Sequence, residues 1–456
     1  MNIEQTLYAM RTFFDTNATK NISFRIEALQ KLREAIKKNE QQIFEALKTD
    51  LSKHEFEAYT TEVGIVLHEI NYALKHVKQW TKQKRVKTPF INVKAKSYIC
   101  KEPYGVVLII SPWNYPFLLS LSTLVGAIAA GNCAIIKSSE YSSAMSDVLD
   151  KIISQIYASN YIKVIKGDAA VSKRVLEHRF DYIFFTGSTT VGRYILEAAA
   201  KNLTPVTLEL GGKSPCIVDE SANIDLAAKR IVWGKFLNAG QTCVAPDHLY
   251  VHKSVKSQFI ESAKKYIIKF FGESPENNAD FPKIISEKHF DRLCTLLNDG
   301  VQIAGGKINN KSHRIAPTIL TDIQESDLIM KDEIFGPILP VLEYDNFDEL
   351  ITIIKQKPKS LALYLFTTNL KNEQKIKTQL SFGGGTINDT IIHLATVHMP
   401  FGGVGHSGMG SYHGKFTFDT FSHSKSIVKK SNLFDINLRY PPYKKNRIKI
   451  IKIILK

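Results

Sequence analysis

Residues 238–247, NAGQTCVAPD, set one thiol, Cys243, among small neighbours: Ala239 and Gly240 before it, Val244, Ala245 and Pro246 after it. An amphipathic run from Ile224 to Phe236 stops just ahead of it, so the spacing predicts a thiol at the end of a helix with little bulk to bury it. The thiolate is the reactive form of cysteine, and an ordinary thiol ionises near pH ~8.5. A polar site at a helix end is expected to lower that value. Glu209 closes the apolar run PVTLEL just before Gly211 and Gly212. A carboxylate at such a strand end can reach a cleft, where desolvation raises its pKa. FFTGSTTVG puts Gly187, Ser188 and Gly192 at a strand-to-helix turn. Glycine there lets the backbone approach a ligand, and a free helix N-terminus attracts anions. The pattern is not GxGxxG, and by itself it is a weak signal that reads first as a tight βα turn. Lys137 ends the run CAIIK, at the strand end where open α/β sheets bind ligands, although most such lysines are simply solvated.

These groups need elements to hold them. Apolar spacing over 24–51 and 60–80 predicts amphipathic helices. From about 104, short apolar runs alternate with helical ones: VVLII, LLSLSTLVGAIAA, CAIIK, SAMSDVLDKIISQI, IKVIKG, DYIFF, VGRYILEAAA and PVTLEL. That alternation predicts a parallel sheet buried on both faces. A second alternating block starts near 214 with SPCIV and runs through LYVHK to SLALYLFTT at 360–368. Two α/β units in tandem leave a cleft between them.

Composition bounds the function. With 456 residues, 44% hydrophobic and 23% charged, the chain has the make-up of a globular protein of two or three domains. Five scattered cysteines without a CxxC pair argue against a disulfide framework or a zinc site and for a reducing compartment. The N-terminus lacks a secretory pattern and no run of 18 apolar residues occurs, so a cytoplasmic location is expected. The net charge of +16 is local. Residues 75–101 hold nine Lys and Arg with no acid, and 429–456 hold nine with one acid, leaving the rest of the chain near neutral. Such patches suit nucleic acid, anionic lipid or plain solvation.

Six motifs then fall in order: PWNYP (112–116), FTGS (185–188), LELGGKSP (208–215), GQTC (240–243), EIFGP (333–337) and PFGGVGHSGMG (400–410). Together the chain resembles the aldehyde dehydrogenase superfamily along its whole length. The early Asn114 and RYPPY near the C-terminus resemble the class 3 branch, which includes fatty aldehyde dehydrogenases. The resemblance implies an aldehyde dehydrogenase fold. A Rossmann-like NAD-binding domain would comprise 1–84 and 101–208, and an α/β catalytic domain 209–410. Segments 85–100 and 411–436 would form a small bridging sheet that makes a homodimer, followed by a basic tail at 437–456. It implies oxidation of a small-molecule aldehyde, medium- or long-chain, apocarotenoid-type or aromatic, to the acid. Cys243 would be the nucleophile. A thiolate adds to the carbonyl and the adduct expels hydride to leave a thioester. Asn114, a turn residue by its surroundings alone, would join the Cys243 backbone N–H in binding the oxyanion. Glu209 would activate the hydrolytic water. Glu333 would hold the nicotinamide ribose beside Phe335, and the division of the base role between the two glutamates stays open. Lys137 and Glu140 would meet the adenine ribose, favouring NAD without excluding NADP, and Gly187, Ser188 and Gly192 would line the cofactor. Ser138 stands where the family usually has proline, and His248 where it usually has tyrosine.

Glu209 argues against a relative that passes the thioester to another acceptor. The intact set Cys243, Asn114, Glu209 and Glu333 argues against a silent binding protein, and no metal or nucleic-acid partner is expected. On a helix, Lys445, Lys449, Lys452 and Lys456 share one face. The tail therefore fits an anionic membrane surface, a partner subunit or plain solvent, and spacing does not choose among them.

Overall fold

The structure, a computed structural model, describes residues 2–433, 435, 439–443 and 445–454. The remaining positions of the bridging segment and tail, 434, 436–438, 444, 455 and 456, lie outside the described residues.

A six-stranded sheet holds the first half of the chain. Its order is Gly408–Met409, Val206–Glu209, Tyr182–Thr186, Val106–Ile110, Cys133–Lys137 and Ile162–Ile165. Every pairing is parallel except that of Gly408–Met409 with Val206–Glu209. The strands read as near-continuous apolar runs because helices cover both faces. One helix, Pro116–Ala130, is buried on every side, starts at a proline and stops at Gly131, whose φ is 96°. The strand order reverses between Val106–Ile110 and Tyr182–Thr186, which opens a crevice at their C-terminal ends.

The second sheet has seven strands: Val301–Ala304, Thr318–Thr321, Ile338–Tyr344, His248–His252, Pro215–Val218, Ala362–Phe366 and Gly384–Ile387. All are parallel except the edge strand Val301–Ala304. After this sheet the chain returns to the first, where Gly408 lies opposite Glu209. A third sheet joins Lys84–Val86, Ala95–Pro103 and Ser422–Lys430, all antiparallel.

Two helices differ from their periodicity. The pattern over 24–51 is split into Ile22–Lys38 and Glu40–Leu51 at Asn39, whose buried amide donates to Ala35 O at 2.8 Å. The helix Gly64–Trp80 is preceded by a π-helical turn, Tyr59–Val63, that carries Glu62 into the interior.

Candidate active site

The helix Ile224–Phe236 ends in a left-handed reversal: Asn238, Ala239 and Gly240 have φ of 51°, 51° and 72°. At 240 only glycine fits, since a Cβ would sit 2.2 Å from Gly336 O. The reversal puts Cys243 on the wall of a cavity of about 650 Å³. Phe56, Trp233, Phe236, Phe271, Phe281 and Phe401 line that cavity along with Glu209, Thr242, Tyr412 and Cys243.

Asn114 reaches the same loop from the end of Val106–Ile110. Its side-chain N–H donates to Gln241 O at 3.0 Å, and Tyr115 OH lies 2.7 Å from Thr242 Oγ1. Glu209 is 2% exposed, and neither carboxylate oxygen has a hydrogen-bond partner. Burial pushes its pKa well above the carboxylate range. Glu333 is half-buried and packs on Gly211, where a Cβ would sit 2.0 Å from its Oε2. Burial first, and then the charge of Asp247, raise Glu333 to about 8. Phe335, at φ 50°, meets Trp113 edge-on at 5.4 Å.

The Cys243 thiol departs from expectation. It is pushed up to about 12, first by burial and then by the charges of Glu333 and Glu209. The sulfur follows a helix C-terminus, the negative end of the dipole, so no help comes from there. The backbone N–H groups of Cys243 and Val244 act in the opposite direction without prevailing.

Residues 1–427 match the model of the aldehyde dehydrogenase family. The chain belongs to the aldehyde dehydrogenase family. It is 50% identical to the 4,4'-diaponeurosporen-aldehyde dehydrogenase of Staphylococcus aureus over 456 residues, covering all of this chain and 99% of that protein. The rat dimeric NADP-preferring aldehyde dehydrogenase is 43% identical over 443 residues, 97% of this chain and 98% of its own. The solved substrate-bound state of Staphylococcus aureus AldH superposes with a TM-score of 0.98 at 50% identity, each chain covered in full.

At the crevice of the first sheet the other predicted residues divide. Lys137 is 2% exposed, and its ammonium donates to Ser138 O and Gly167 O, both at 2.6 Å. Burial lowers it, against the charges of Glu140 and Asp168. Glu140 is exposed. Ser138 Oγ, on the residue next to Lys137, is buried without a hydrogen-bond partner. Gly187 N–H donates to Glu209 O at 3.0 Å, and Ser188 caps the helix Thr189–Ala200. Gly192 sits inside that helix against Leu210, whose Cδ2 would lie 2.7 Å from a Cβ there, so its smallness serves helix-to-strand packing. His248 is buried behind Asp247, with Nδ1 3.5 Å from its carboxylate, and does not line the large cavity.

Sequence reasoning passed over Asn238 and Lys213. The Lys213 ammonium donates to Asp247 Oδ2 at 2.5 Å and to Ile329 O and Asp332 O, both at 2.9 Å. It thereby ties the segments carrying Glu209, Cys243 and Glu333 together. Nothing in its local pattern, GGKSP, sets it apart from a solvated lysine.

Proposed function

We propose that this protein is an NAD(P)-dependent dehydrogenase that oxidises a long apolar aldehyde, of aliphatic or apocarotenoid type, to its acid. The observation that carries this reading is the aromatic-walled cavity of about 650 Å³ that runs alongside Cys243 and Glu209. The name of the Staphylococcus aureus relative supports a polyene aldehyde as one such substrate.

The cofactor fits the residues present: a crevice where the strand order reverses, a capped helix N-terminus, and the unpartnered Ser138 Oγ beside Lys137. Lys137 and Glu140 would hold its adenosine end, Gly187 and Ser188 its phosphates, and Glu333 with Phe335 its nicotinamide end. The relative's NADP preference and the exposed Glu140 leave both NAD and NADP within reach of this site. When bound, NAD(P)⁺ supplies a cationic ring that accepts the hydride. The chain's own residues do the remainder. The Cys243 thiol gives up its proton to a neighbouring carboxylate, and its sulfur adds to the aldehyde carbon. The second N–H of the Asn114 amide and the Cys243 backbone N–H bind the resulting oxyanion. Collapse of the adduct leaves a thioester on Cys243. Glu209, which lines the cavity and whose buried carboxylate has no hydrogen-bond partner, takes a proton from water, and the hydroxide displaces the thiolate to release the acid.

In this reading 1–84 with 101–208 bind the cofactor, 209–410 carry the chemistry, and the small third sheet joins two copies into a homodimer. The chain would work in the cytoplasm. A series of unbranched aldehydes, with NADH formation as the readout, tests the substrate class. Each methylene buried in the cavity contributes about 0.8 kcal/mol, so kcat/KM should rise by up to about fourfold per carbon until the chain reaches the mouth. A flat profile from short to long chains would remove the substrate assignment.

A further inference from the structure

Asn238 is fully buried, and each of its amide hydrogens has a separate use. Nδ2 donates to Asn114 O at 2.9 Å and to Gln241 O at 3.2 Å. Its backbone N–H donates to Glu57 Oε1 at 2.9 Å, and its carbonyl accepts the backbone and side-chain N–H of Gln241, both at 3.1 Å. The first peptide belongs to the side-chain donor for the oxyanion, and the second lies two residues before Cys243. Lys53 adds a weaker contact to the same Asn114 carbonyl at 3.5 Å. Asn238 also holds a left-handed φ of 51° that L-residues other than asparagine and glycine seldom adopt. A side chain kept at such a position, fully buried and joining two loops that are 127 residues apart at their contact, fixes one loop against the other.

We infer that Asn238 is a positioning residue that sets the distance between the Asn114 amide and the Cys243 backbone N–H, the two donors of the oxyanion site. The inference rests on the reading above of Cys243 as nucleophile and Asn114 as oxyanion donor. It separates two properties that usually change together. Glycine at 238 accepts the left-handed backbone and removes the amide bridge, so the protein should still fold, at some loss of stability, while the site loses its register.

The test compares two reagents that attack the same sulfur without any cofactor. In acylation by a p-nitrophenyl ester, the thiolate forms a C–S bond, the carbonyl electrons move to oxygen, and the oxyanion then collapses to expel p-nitrophenolate. Alkylation by iodoacetamide forms a C–S bond and expels iodide with no oxyanion at all. Modification of Cys243 is followed by peptide mass spectrometry, which separates it from the other cysteines. Asn238→Gly should acylate about 10- to 100-fold more slowly than wild type, somewhat less than the loss from removing a donor outright. Its alkylation rate should stay within about twofold and its thermal unfolding should stay cooperative, with a midpoint only modestly lower. Asn238→Ala removes the amide without adding a charge, at a left-handed φ of 51° that Ala239 beside it also adopts, and should show the same split if the glycine variant fails to fold. Equal acylation in wild type and both variants, or a matching loss in both reactions, overturns the inference. If wild type itself forms no ester adduct on Cys243, the proposed nucleophile fails and the positioning role falls with it.

Discussion

At the scale of the residue, the site depends on carboxylates held where water does not stabilise their charge. Glu209 has no hydrogen-bond partner and is raised by burial. A raised base is protonated, and idle, below its pKa, so deacylation should speed up as pH rises through that value and slow as pH falls. Glu209→Gln cannot accept the proton. Its turnover should fall by about 10²- to 10⁴-fold while an acyl adduct accumulates on Cys243, visible by intact-protein mass spectrometry. Loss of turnover with no adduct in rapidly quenched samples would move the base role to Glu333. Cys243 and Glu209 were legible because their neighbours are small and adjacent in sequence. The thiol's raised pKa was not, because the burial that mainly raises it, and the charges of Glu209 and Glu333, 34 and 90 positions away, that add to it, exist only once the chain has folded. Asn238 escaped notice for a related reason: its partners, Glu57 and Asn114, meet it only after folding.

Among the elements, the helix Pro116–Ala130 shows how a buried charge serves a distant loop. The Lys53–Glu62 pair lies wholly inside at 2.6 Å, and Glu62 Oε2 accepts from the first free N–H groups of that helix, Phe117 at 2.9 Å and Leu118 at 3.1 Å. The same Lys53 lies 4.2 Å from the ring centroid of Tyr115. Removing one partner leaves a charge and two N–H groups buried without acceptors, a loss of about 3–5 kcal/mol. Glu62→Ala should therefore lower the urea midpoint strongly, whereas Glu62→Gln, which still accepts from both N–H groups, should fall less. Equal stability of the alanine variant and wild type would show that water fills the gap. The helix itself was plain in its apolar run. The π-helical turn that delivers Glu62 was not, because TTEVG continues the same amphipathic spacing and a one-residue bulge leaves no mark on it.

Across the whole molecule the basic charge gathers away from the catalytic cleft. The third sheet brings Lys84, Arg85, Lys96, Lys101, Lys425 and Lys429 onto one small unit, and the edge strand Ser422–Lys430 is exposed over most of its length. Ile427 and Val428 stand 41% and 59% exposed on it, an open edge suited to a second copy of the chain. Beyond it, the helix Lys445–Ile454 presents Ile448 and Ile453 to solvent at 58% and 76% exposure, between Lys445, Lys449 and Lys452. Among the described residues no helix is long and apolar enough to cross a membrane. A short helix with exposed isoleucines among lysines instead suits the surface of an anionic bilayer, where each cation near the headgroups contributes about 1 kcal/mol. We propose this surface contact as the route by which poorly soluble aldehydes reach the cavity. The full-length protein should sediment with vesicles containing anionic lipid, less so as salt rises, because a Debye length of about 8 Å at physiological ionic strength shrinks to about 3 Å at 1 M. A chain ending at Pro442 should lose most of the binding while keeping its turnover of short, soluble aldehydes. Equal sedimentation with neutral and anionic vesicles, or no change on truncation, would assign the tail to the partner subunit or to solvent and leave substrate delivery to diffusion.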